Sequence, residues 1–189
     1  MKKSLTVLAA VSAASAASAQ SLEIEPAVAH LPFFGQVTVT VFADSGPADY
    51  AVAGWNGSVV ASGTGSAHWS NNMHHIGPAQ GGEFSSPGTI EGYSVTGIFL
   101  GQGPPALGFT PVPGRVIFWS ADFVDDDGGF FEIRTETTRF EVYTEPGAEP
   151  PTRRTLVPTE GFARVTFTPA PGSLTLLALA GLAAARRRR

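Results

Sequence analysis

The densest group of ionisable side chains in this 189-residue chain is Asp125-Asp126-Asp127-Gly128-Gly129, with Asp122 three positions upstream. Clustered carboxylates beside glycines can offer the hard oxygen ligands that calcium takes, so Asp122, Asp125, Asp126 and Asp127 form the candidate cation site. The run lacks the Asp-x-Asp-x-Asp-Gly alternation of a dedicated calcium loop, and the nearest following acid is Glu132. Aspartate and glycine are equally the residues of a tight hairpin turn. The segment is therefore expected to be a turn between two strands, with a weak calcium site built around it as the second reading.

His68, His74 and His75 are three of the four histidines. Imidazoles at such spacing can bind zinc or copper, but an adjacent pair points opposite ways in a strand. With Ser, Asn and Gly around them, an exposed polar loop is expected. Catalytic signals are weak. No nucleophile-elbow, zinc-protease or phosphate-loop motif occurs. A Ser/His/Asp triad needs no sequence adjacency, so residue types alone carry little weight. Glu132 and Glu141 would suit a glycosidase only at the right separation, and alternating glutamates on strands read more simply as a solvent face. Of the three tryptophans, Trp119 sits in the most apolar segment and is expected in the core. Trp55 and Trp69 are the better candidates for exposure and for stacking on sugars, yet ordinary packing is the favoured reading for them as well, because a sandwich core needs aromatic bulk.

The elements that would position these residues are short strands. Gln36 to Phe42 alternates Val37, Val39 and Val41 against Thr38 and Thr40. Arg115 to Phe123 is apolar on both faces, as a central strand would be. Phe130 to Thr135 turns Phe131 and Ile133 inward; Thr138 to Thr144 does the same with Phe140 and Val142, and Phe162 to Phe167 closes the set. Leu22 to Glu25, Tyr50 to Trp55, Ser58 to Ala61 and Tyr93 to Leu100 complete it, with Asn56-Gly57 as a two-residue hairpin turn. Long loops are expected from Gly63 to Gly88 and from Gly101 to Gly114, and a linker from Glu145 to Pro151. The pattern predicts an all-β fold, an antiparallel β-sandwich of immunoglobulin or jelly-roll type with eight or nine strands.

The two ends have a different composition. Met1-Lys2-Lys3, an apolar stretch from Leu5 to Val11 and an Ala/Ser run make a secretory signal peptide over 1–19, with Ala17 and Ala19 at −3 and −1 and cleavage before Gln20. At the other end, Leu174 to Ala185 is apolar apart from Thr175 and is followed by Arg186, Arg187, Arg188 and Arg189. This predicts a short transmembrane helix, below the ~20 residues of a comfortable span. The arginines would stay on the cytoplasmic side, leaving the body outside. The body, 20–168, then holds no lysine and sets six arginines against all sixteen carboxylates, a formal charge of −10. Such a surface excludes nucleic acid as a partner, because phosphates demand cations. It suits neutral glycans, cations or colloidal repulsion. No cysteine is present, so the domain is expected to rely on its own core.

The segment Pro169-Ala170-Pro171-Gly172-Ser173, the Leu/Ala/Gly run and the Arg cluster together resemble the PEP-CTERM sorting signal of Gram-negative bacteria. Ala170 stands where that signal has glutamate. The resemblance covers residues 169–189 and implies processing by an exosortase, a membrane cysteine protease-transpeptidase that hands its substrate to the cell envelope or exopolysaccharide. Thr137-Thr138-Arg139-Phe140-Glu141-Val142-Tyr143 also resembles segments of planctomycete-type proteins bearing such a tail. The expected protein is a non-enzymatic, exported envelope or matrix component that needs no cofactor. Its expected partners are the secretion machinery, the exosortase, the membrane through its C-terminal segment, and an exopolysaccharide or glycan. A carbohydrate- or calcium-binding module and a secreted hydrolase with an unrecognised site stand as alternatives.

Overall fold

The structure, a computed structural model, describes residues 20–75, 88–102, 110–145 and 152–168. The expected signal peptide (1–19, with Ala17 and Ala19) and the expected sorting segment (169–189, from Pro169 to Arg189) lie outside the described residues. Gln20 is described. Its side chain donates to Asp49 Oδ2 at 2.8 Å, and its carbonyl accepts the Thr159 N–H at 2.9 Å.

Among the described residues, nine strands follow in order: β1 (Ser21–Glu25), β2 (Val28–Pro32), β3 (Gln36–Asp44), β4 (Ala51–His74), β5 (Thr89–Glu91), β6 (Ser94–Gly101), β7 (Arg115–Tyr143), β8 (Arg153–Leu156) and β9 (Phe162–Thr168). They form one hydrogen-bonded sheet with the path β1-β3-β7-β4-β6-β5, while β8 and β9 join β7 and β2 joins β9. The ladders are antiparallel except for β2–β9, which is parallel. The expected all-antiparallel sheet is corrected at that one pair.

Two very long strands organise everything else. The first part of β7 lies between β3 and the end of β4, and its second part lies between the start of β4 and β9, then β8. Fully extended, Phe123 and Phe131 would stand roughly 26 Å apart. Their rings are 5.1 Å apart instead. The β4–β7 ribbon therefore bends sharply between them, folding the sheet over itself into a sandwich that both long strands cross.

Period-two patterning holds where the strands are regular. Val39 and Val41 of β3, Phe131, Ile133, Phe140 and Val142 of β7, and Ala163, Val165 and Phe167 of β9 all enter one core. Leu22, Ile24, Trp119 and Phe123 join it. The expected central strand is confirmed: from Phe118 to Phe123 every residue of β7 is buried. Three expected interruptions are not turns. Asn56-Gly57 lies inside β4, where two register shifts occur beside it. Gly63 to His74 is strand as well, and Asp125 to Gly129 is a bulge within β7. Two-residue turns and bulges draw on the same glycine-rich vocabulary, so local sequence does not separate them.

Candidate functional site

The bend is built by the aspartate cluster. Gly65 pairs Gly129 and Ala67 pairs Asp125, so Ser66 of β4 faces three residues of β7, Asp126 to Gly128. Gly128 and Gly129 have φ of 88° and 135°, open to glycine and strained for other residues. A methyl group on Gly129 would collide with the Thr64 carbonyl oxygen, and one on Gly128 with the Phe33 ring. Asp125, 3% exposed, accepts the Gly128 N–H at 2.6 Å and the Phe34 N–H at 2.7 Å. Its own N–H donates to Gly35 O at 3.0 Å. It thus ties the β2–β3 turn, where Phe34 has a φ of 57°, to the bend.

The other carboxylates serve different donors. Asp122 accepts from Thr38 Oγ1 at 2.7 Å and from Asn71 Nδ2 at 2.5 Å. Asp127 accepts the Ser66 N–H at 2.5 Å. Asp126 faces His68 Nδ1 at 3.0 Å, both half exposed. Among the described residues, no three carboxylate or imidazole groups gather in a metal-holding arrangement. The histidines are on a strand and its end rather than a loop: His68 meets Asp126, and His75 Nε2 lies 2.7 Å from Ser120 Oγ.

The tryptophans follow the favoured reading and pack as core residues. Trp119 is in the core, and so are Trp55 and Trp69, at 1% and 3% exposure, which removes both as sugar-stacking candidates. Trp69 packs on Phe123 and Trp119, with centroids at 4.7 and 5.4 Å, and donates its indole N–H to Tyr93 O at 2.7 Å. The polar neighbours Asn71 and Asn72 do not force exposure, because Asp122 and the Trp119 indole N–H satisfy them. Glu132 and Glu141 are nine residues apart on β7, each facing an arginine.

A second feature escaped the sequence. On the outer face, Asn56 of β4 pairs Phe99 of β6 on one side and Arg139 of β7 on the other. One row away, Gly54 pairs Gly101 and Glu141 in the same manner. The two glycines leave a notch of about 210 Å³, walled by Phe99, Asn56, Arg139, Glu141 and Arg153. Glu141, its side chain 15% exposed, receives Arg139 Nη2 at 2.5 Å and stands 3.8 Å from Arg153 Nη1. Arg153 also lies over the Tyr143 ring and donates to its hydroxyl at 3.3 Å. Burial pushes the Tyr143 pKa up, partly offset by the Arg153 charge. No local motif announces the notch, since its walls come from four strands.

Comparison with solved structures identifies the architecture as a cohesin-like β-sandwich. The seventh ScaB type I cohesin from Pseudobacteroides cellulosolvens superposes with a TM-score of 0.56 at 12% identity, over 79% of this chain and 94% of that one. A type I cohesin from Clostridium thermocellum, solved as a Coh-OlpA–Doc918 cohesin–dockerin complex, gives 0.46 at 12% identity, over 78% and 99%. No protein-family model matches the chain, and no curated protein does.

Proposed function

We propose that this chain is an exported, non-enzymatic surface protein of the cell envelope or exopolysaccharide matrix, processed by an exosortase at its C-terminal signal. The observation that carries this reading is the three-part tail: Pro169-Ala170-Pro171-Gly172-Ser173, the apolar run, and Arg186 to Arg189, opposite an N-terminal signal peptide. The body between the ends suits the role. It is an acidic sandwich whose main core, from Leu22 to Phe167, forms without any disulfide. The short apolar run makes the membrane a staging post rather than a permanent anchor.

Fractionation of the native host, followed by intact-mass analysis, tests this. The expected species begins at Gln20, lacks the Arg cluster and is recovered with the envelope or matrix. A cytoplasmic protein with both ends intact would overturn the reading. The notch favours a second function for the delivered body, a binding module whose ligand is held on the outer face of the sheet.

A further inference from the structure

We propose that the notch over Gly54 and Gly101 binds an acidic sugar, a uronate unit of an extracellular polysaccharide. The argument begins with charge. Each of the six arginines of the body faces a carboxylate: Arg115 has Glu23 and Glu25, Arg134 has Glu136, Arg154 has Asp49 and Arg164 has Glu132. Arg139 and Arg153 are different, because they share the single carboxylate of Glu141. In a body of charge −10, the notch thus carries two guanidinium groups against one carboxylate. Largely buried Glu141 holds both arginines in place, and each keeps further N–H donors for a ligand carboxylate.

Shape supplies the second part. Without side chains at Gly54 and Gly101, the floor of the notch is bare backbone, over a width of roughly 10 Å from β6 to β7. Phe99, 48% exposed, stands at one wall and offers the ring face on which the apolar face of a sugar packs. Asn56, in the row between Phe99 and Arg139, offers a donor and an acceptor to adjacent hydroxyls. An aromatic wall, a planar amide and an excess cation around a side-chain-free floor match one ring bearing hydroxyls and a carboxylate. A neutral sugar would leave the excess cation unused.

The polysaccharide source of the sugar rests on the envelope reading above, whereas binding in the notch does not. The test is calorimetric titration of the full-length protein in detergent micelles, with EDTA present, using tetragalacturonate and neutral maltotetraose. Tetragalacturonate is expected to bind at least about tenfold more tightly, with affinity falling as salt rises. Arg153→Gln is expected to weaken it about tenfold, as loss of a charge-assisted hydrogen bond does. Gly54→Leu should abolish binding; a Cβ there meets the nearest atom, Leu100 O, at an ordinary 3.4 Å, so the fold has room for it. Should that variant melt early, Phe99→Ala, at an exposed position, provides the same readout with an expected loss of about tenfold. Equal binding of the two tetrasaccharides, binding of neither, or parental affinity in both Gly54→Leu and Phe99→Ala overturns the proposal. A failed titration with correct envelope localisation would remove the sugar site and leave the sorting role standing.

Discussion

Asp125→Ala separates a carboxylate that holds the fold from one available to a cation. Asp125 is 3% exposed and accepts two backbone N–H groups, at 2.6 and 2.7 Å. Charge-assisted bonds of this kind contribute about 1.5–3 kcal/mol each, and removing the acceptor leaves both donors short of a partner. The carboxylate's own burial is relieved at the same time, which places the net loss near the lower end, at about 3 kcal/mol. For a domain of this size that lowers the melting temperature by about 6–12 °C. Its neighbour Asp126 meets only the half-exposed His68, so Asp126→Ala should move the midpoint by no more than about 2 °C. Thermal melts followed by circular dichroism, with EDTA and again with millimolar calcium, provide the measurement. Equal losses at the two positions, or an Asp125→Ala protein that melts with the parent, would refute the strut. A calcium-dependent rise in the parent that both variants abolish would instead restore the cation site.

Trp69→Ala should cost about 3–5 kcal/mol, the price of a core aromatic, and the urea midpoint will show it; a loop tryptophan would cost less than about 0.5 kcal/mol. Gly129→Ala, which drives a methyl into the Thr64 carbonyl at a φ of 135°, should cost more than about 3 kcal/mol or prevent folding. Gly114→Ala, at a φ of 73° with nothing within 4 Å, should cost only about 1 kcal/mol by the same denaturation assay. Tyr143→Phe removes the hydroxyl donated to Gln102 O at 3.1 Å and should cost about 1–2 kcal/mol near neutral pH. Because burial raises the folded pKa of Tyr143, the parent holds this proton after the unfolded chain releases it. Parental stability should therefore fall as pH rises past about 10, and Tyr143→Phe should lose less over that range in urea titrations.

Strand identity was legible where alternation was uninterrupted. Val37-Thr38-Val39-Thr40-Val41 declares its inward face in any context, because side chains alternate with period two. The bulges were not legible, for a thermodynamic reason. Asn56-Gly57 and Asp125 to Gly129 favour turns locally, but in the folded chain each lies along a partner strand whose ladder hydrogen bonds outweigh that preference. Burial of Trp55 and Trp69 was legible from the aromatic bulk a sandwich core needs, against the pull of their polar neighbours. Polar neighbours predict exposure only until tertiary partners satisfy them, as Asp122 does for Asn71 beside buried Trp69.

What this sequence determined by itself was therefore local or compositional: the β class, the inward faces of β3, β7 and β9, and the acidic, disulfide-free body. Only the tertiary structure decided that two long strands bend across both layers, and that the aspartate cluster is a brace at the bend. It also decided that Phe99, Asn56, Arg139, Glu141 and Arg153, drawn from four strands, surround one notch. Such convergence depends on register between segments up to about a hundred residues apart, and no local periodicity encodes that register.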